Sequence, residues 1–117
     1  MFYRCFAGCT NLVGAPVFPA TSIPDQYIWQ GFAQCYSLTG IVLSGTTLTY
    51  QCYHGMLYDC TSLTDVTVGF DDWNNGDSTQ QWLYNTPPGS FHCPVSLDTT
   101  IRDDSHIPNG WYIWHLI

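Results

Sequence analysis

A seven-residue pattern, Phe or Leu, then x-x-Cys-x-x-Leu, occurs three times: Phe6-Ala7-Gly8-Cys9-Thr10-Asn11-Leu12, Phe32-Ala33-Gln34-Cys35-Tyr36-Ser37-Leu38 and Leu57-Tyr58-Asp59-Cys60-Thr61-Ser62-Leu63. Its cysteines lie 26 and then 25 residues apart. Self-similarity at that period marks an architecture in which each unit buries its apolar side only against its neighbours. Alignment of the copies extends the match downstream to Ala15, Ile41 and Val66, then to Val17, Leu43 and Val68, every position apolar. The ending Ile41-Val42-Leu43 alternates as a short strand with one buried face does. Upstream, Ile23 and Leu48 also correspond, and Tyr27 to Phe32 and Cys52 to Leu57 read as one or two irregular helical turns. Each unit is therefore expected to run strand, loop, short helical segment, turn, next strand.

The pattern resembles the BspA-like leucine-rich repeat of Bacteroidales surface and phage-associated proteins. Phe18-Pro19-Ala20-Thr21-Ser22-Ile23 and Leu43-Ser44-Gly45-Thr46-Thr47-Leu48 match the first half of that unit, and the three Cys-x-x-Leu blocks match the second. Gly45 departs from it, as does the load of aromatic residues. Trp82, Gly89-Ser90-Phe91 and Ile107-Pro108-Asn109-Gly110-Trp111 are similar to the closing segments of such arrays. The resemblance implies a leucine-rich-repeat solenoid, with short parallel strands and irregular helical or 3-10 segments, closed by a small C-terminal β cap. Residues 1–70 would be the repeats and 71–117 a non-repetitive, β-rich cap.

In that cap Ser90 to Pro94 reads as a strand that adds to the sheet, and Gly110 to Ile117 as an apolar strand covering the last repeat. The chain opens in mid-repeat, with Met1 aligned to Tyr27 and Cys52, which suggests the C-terminal piece of a longer protein or an edge covered by another subunit.

Charge narrows the function classes. Of 117 residues only 9% are charged: Arg4, Arg102 and nine aspartates, with neither Lys nor Glu, for a net charge of −7. A phosphate-binding surface needs clustered basic residues, and anionic membranes attract them too, so both partners are disfavoured. No apolar run approaches the ~18 residues of a membrane span. Catalysis is poorly served: a glycosidase would have to use aspartates, of which Asp71, Asp72, Asp103 and Asp104 all lie in loop-like sequence, and His54, His92, His106 and His115 show no spacing with a nucleophile.

The cysteines divide by column. Cys9, Cys35 and Cys60 should stack about one strand spacing apart as buried thiols. Cys5, Cys52 and Cys93 lie outside that column, and a disulfide among them stays open. No second close pair completes a zinc set with Cys5 and Cys9. Asp71, Asp72 and Asp77 surround turn-forming residues that are reminiscent of a calcium loop but lack its alternating ligands and terminal Glu, so a solvated loop is the default.

Binding residues are expected on the outer sheet face and among the aromatics. The face would carry the columns Val13-Thr39-Thr64, Gly14-Gly40-Asp65 and Pro16-Val42-Thr67, giving Thr39, Val42, Thr64, Asp65 and Thr67 as candidates, with Trp29 and Tyr53 as exposed aromatics. Two functions follow as expectations. One is a non-enzymatic module on a cell or virion surface that binds a glycan or protein. The other is a structural subunit of a fibre, filament or decoration whose main contacts are to copies of itself.

Overall fold

A computed structural model describes residues 4, 6–14, 25, 28–73 and 77–116, the side chain of Leu116 excepted. The repeat half at Phe18 to Ile23, together with Met1, Cys5, Ala15, Pro16, Val17, Tyr27 and Ile117, lies outside the described residues.

Among the described residues four strands form one sheet: β1 (Gly40–Leu43), β2 (Asp65–Val68), β3 (Ser90–Pro94) and β4 (Tyr112–Leu116), in the order β1-β2-β3-β4. Every neighbouring pair is parallel. Gly40 pairs with Asp65 and Val42 with Thr67, the register that the sequence columns predict, and a bridge from Gly14 to Gly40 continues it on the β1 side. Alternation sets the two faces: Ile41, Leu43, Val66, Val68, Phe91 and Cys93 are buried, while Val42 and Asp65 are exposed.

Opposite the sheet the expected helical segments are absent. The described residues contain no helix; residues 28–34, 53–59 and 78–84 are strings of overlapping turns. Within each string alternate amides bond three residues back, as Gly31 N to Ile28 O and Ala33 N to Gln30 O, at 3.2 Å each. The intervening amides leave the string and bond the next one. Ile28, Gln30, Phe32 and Gln34 donate to the carbonyls of Cys52, His54, Met56 and Tyr58, and Tyr53, Gly55, Leu57 and Asp59 donate to those of Ser78, Gln80, Trp82 and Tyr84, all within 2.7–3.0 Å.

A helix would direct every amide along its own axis. Left-handed residues prevent that here. Gln30, Gly55 and Gln81 form one column with φ of 50°, 57° and 53°, and Gln34, Asp59 and Asn85 another with φ of 61°, 62° and 56°. Each reverses the chain direction at the third residue of a turn, where positive φ is required in the type II geometry.

Strands and turns enclose one core. Phe32, Leu57 and Leu83 point into it from successive turn strings, with Leu38 and Leu63 at the corners. Phe70, Trp73, Trp82 and Phe91 fill its later part, their ring centroids 5.2–6.2 Å apart at mostly steep angles. Gly89 lets β3 approach β2, because a methyl there would collide with the Thr64 carbonyl. Arg102 ties down the last loop, donating from Nε to Ile107 O and from Nη2 to Pro108 O and Trp111 O over 2.7–3.1 Å. Among the described residues no helix is long and apolar enough to cross a membrane.

Candidate functional site

The outer sheet face gathers most of the candidates. Register places Val42, Thr67, His92 and Trp114 in one row across the four strands, and Gly40, Asp65, Ser90 and Tyr112 in the row beside it. Val42 is 48% exposed, Trp114 57% and Tyr112 73%. His92 links the two rows: its Nε2 lies 3.5 Å from Asp65 Oδ1, and its ring stacks on Trp114 with centroids 6.4 Å apart and planes 17° from parallel. The indole is thus braced on one side by an imidazole that stands beside a carboxylate. Its other side points toward the sheet edge.

Thr39 and Thr64 stand exposed just before the strands, and both are tied to backbone. Thr39 Oγ1 donates to Val13 O at 3.3 Å, and Thr64 Oγ1 contacts Thr39 O at 3.1 Å and Asp65 Oδ2 at 2.9 Å. The predicted aromatics fare differently. Tyr53 is 2% exposed and stacks on Trp82, so it offers no surface to a ligand. Trp29 is half-buried on the opposite side, its ring 5.1 Å from that of His54. Neither joins the sheet face.

Sequence reasoning missed His92, Tyr112 and Trp114 as surface residues. The signal was the alternation Trp111-Tyr112-Ile113-Trp114, in which Trp111 is buried and Tyr112 and Trp114 face out. Four apolar residues in succession carry no polar marker to reveal which parity faces solvent.

The cysteine column proves to be a hydrogen-bond ladder. Cys35 Sγ donates to Phe6 O and Cys60 Sγ to Phe32 O, both over 3.0 Å, while Cys9 at the start of the column is exposed. None of Cys9, Cys35, Cys52, Cys60 and Cys93 is in a disulfide. Burial pushes the Cys60 thiol up to about 12 and raises Cys52 and Cys93 as well, so these sulfurs stay protonated and poorly nucleophilic.

Asp71 and Asp72 line a cavity of about 220 Å³ with Thr46, Thr47 and Leu48. The Asp71 carboxylate accepts from Ser96 Oγ at 3.3 Å, Asp77 is exposed, and residues 74–76 of the calcium-like loop lie outside the described residues. The described residues bring no three His, Cys, Asp or Glu side chains together as a metal site. Three further acids have structural partners: Asp59 Oδ1 accepts from Asn85 of the next turn string at 2.9 Å, Asp98 holds Thr100, and Asp103 holds His106 Nδ1 at 2.8 Å. Burial works to raise Asp103, but the hydrogen bonds from His106 and the Ser105 amide outweigh it and hold the carboxyl below its usual range. Comparison with known protein families, curated proteins and solved structures yields no match for this chain.

Proposed function

We propose that the chain is a leucine-rich-repeat-like solenoid of the BspA-like type, and that it works as a recognition module on a cell or virion surface without catalysing a reaction. The outer sheet face is its binding surface, engaging a glycan or protein partner. The observation that carries this reading is the row ending in His92 and Trp114, flanked by Tyr112: large exposed aromatic rings on a rigid parallel sheet. Aromatic faces beside hydroxyl, imidazole and carboxylate groups suit a partner that is apolar on one side and polar on the other. Support for the solenoid comes from lateral hydrogen bonds that recur 24–26 residues along the chain from residue 4 to residue 84. The engagement of Asp98 and Asp103 in local turns, and of Asp59 with Asn85 of the next turn string, supports a non-enzymatic role.

Binding of the full chain to glycan and cell-surface arrays tests the reading. Thr67→Arg, which places a long cation in mid-face, and Tyr112→Ala should each weaken capture by tenfold or more. Undiminished capture by both variants would refute the assignment of the face.

The second reading, a self-associating structural subunit, is favoured by one observation. The sheet ends in a strand with no partner on its far side among the described residues.

A further inference from the structure

Among the described residues no strand lies on the far side of β4. Tyr112 donates its amide to Gly89 O over 2.8 Å, and β3 and β4 pair from Ser90 with Tyr112 to Pro94 with Leu116. In a parallel ladder the N–H and C=O of one residue point to the same neighbour, and alternate residues point to opposite sides. Tyr112, Trp114 and Leu116 therefore face β3. Ile113 and His115 direct their N–H and C=O groups away from the sheet.

Sheet edges are ordinarily guarded by lysine, proline, a bulge or a charge. β4, reading Tyr-Ile-Trp-His-Leu, has no Lys, Pro, Asp, Glu or Arg, although the whole chain carries −7. The strand thus adds no charge of its own where Tyr112 and Trp114, the two most exposed aromatic residues among the described ones, stand.

We infer that a second copy of this chain covers the edge, the two β4 strands pairing antiparallel about a two-fold axis at Trp114. In that register Ile113 lies opposite His115 of the partner subunit. These are the two residues whose backbone groups face outward, so each such pair exchanges two hydrogen bonds and symmetry doubles the set. Trp114 meets Trp114 of the partner subunit at a non-hydrogen-bonded site, where Cα atoms approach to about 4.5 Å and side chains touch most closely.

A slip of one residue would oppose outward-facing groups to inward-facing ones. The two-residue slip that centres the axis on Ile113 would need Trp111, whose amide already donates to Pro108 O and whose carbonyl already accepts from Arg102. Because the axis stands normal to the sheet, the two outer faces join into one. Two short strands and four aromatic side chains cover less than the ~1,200 Å² of a standard stable interface, so the dimer is concentration-dependent. Two copies of net charge −7 also repel, so added salt strengthens it. This inference stands apart from ligand recognition: a dimer that captures nothing, or a monomer that captures a glycan, separates the two.

Sedimentation equilibrium of the full chain, in reductant, over a hundredfold concentration range at low and high salt tests it. The expected result is a monomer–dimer equilibrium that tightens with salt and stops at two. His115→Pro removes an outward amide and leaves the β3–β4 ladder intact, and Trp114→Lys adds the missing guard at an exposed position. Each should raise the dimer dissociation constant at least tenfold with an unchanged circular dichroism spectrum. If His115→Pro fails to fold, Trp114→Lys alone decides. A monomer throughout, a dimer indifferent to Trp114→Lys, or open-ended growth beyond two would overturn the inference.

Discussion

The turn strings at residues 53–59 and 78–84 follow the same backbone path with different side chains. In the earlier string the column position after Asp59 holds Cys60, whose thiol reaches back to Phe32 O at 3.0 Å. In the later one Thr86 stands there, and its hydroxyl turns to Leu83 O at 2.9 Å within its own string. The later string instead reaches sideways with other groups: Ser78 Oγ to Thr49 O at 2.6 Å, Thr79 Oγ1 to Ser105 O at 2.6 Å and Trp82 Nε1 to His106 O at 2.8 Å. Gly55 and Gln81 share one left-handed position. What recurs along this chain is therefore a place for a donor and a place for positive φ. The residue type that fills each place is free to change.

The largest expected effect sharpens that comparison at the core. Trp82 is fully buried, stacks on Tyr53 and packs against Phe70, Trp73 and Phe91. Trp82→Ala should cost about 3–5 kcal/mol of stability, by chemical denaturation, as large aromatic truncations do. Because Tyr53 belongs to the neighbouring string, one cooperative transition should shift as a whole. A variant in which residues 28–68 keep their own separate transition would show that the two regions are energetically independent.

The shared left-handed position offers an exchange. Gly55 has φ of +57°, and a Cβ there would also crowd Gln30. Gly55→Ala should lose about 1–2 kcal/mol, and Gln81→Gly, at φ of +53°, should gain up to about 1 kcal/mol, net of the entropy that glycine adds to the unfolded chain. Opposite signs in thermal melts would support the equivalence of the two positions; equal signs would break it.

These results bear on what the amino acids reveal unaided. The parallel strands and the register of Gly40 with Asp65 were legible, because Leu38, Ile41 and Leu43 and their counterparts repeat in type and in phase. The turn strings were not, since Gln30, Gln34 and Asp59 adopt positive φ without the glycine that ordinarily signals it. Tyr53 was expected among the exposed aromatics; Trp82, from beyond the recognisable repeats, stacks on it and covers it. On the sheet face, Val42, Asp65 and Thr67 were readable from the columns. Trp114 and His92 were not, because their row is completed by strands whose sequence does not resemble β1 or β2.

The two uses of the Cys60 and Thr86 position differ in reactivity. In a Cys5→Ser background at pH 8, a thiol reagent should modify exposed Cys9 readily. Cys35, Cys52, Cys60 and Cys93 should react at least a hundredfold more slowly, because burial keeps them from reagent, raises the Cys52 and Cys93 thiols and pushes that of Cys60 up to about 12. Prompt labelling of Cys60 in the native chain would mean that the strings open locally between Phe32 and Cys60.

The smallest expected effect concerns His54, which belongs to the string at 53–59 and stacks on Trp29. Burial lowers its pKa below the ordinary 6.5, and the charge of Asp77, which leads into the later string, only partly opposes this. With the folded value depressed, the unfolded chain takes up the proton first as pH falls. The His54 contribution is thus fully present above about 6.5 and declines below it. Asp98 and Asp103, also depressed, keep theirs until pH drops under about 3.8. His54→Gln should therefore flatten the decline in stability between pH 7 and 5, read from thermal melts, by less than about 1 kcal/mol because the ring is partly solvated. Asp77→Asn, which withdraws the opposing charge, should steepen the same decline. If Asp77→Asn leaves the slope unchanged, the two strings are joined through backbone and core alone, with no electrostatic contact between them.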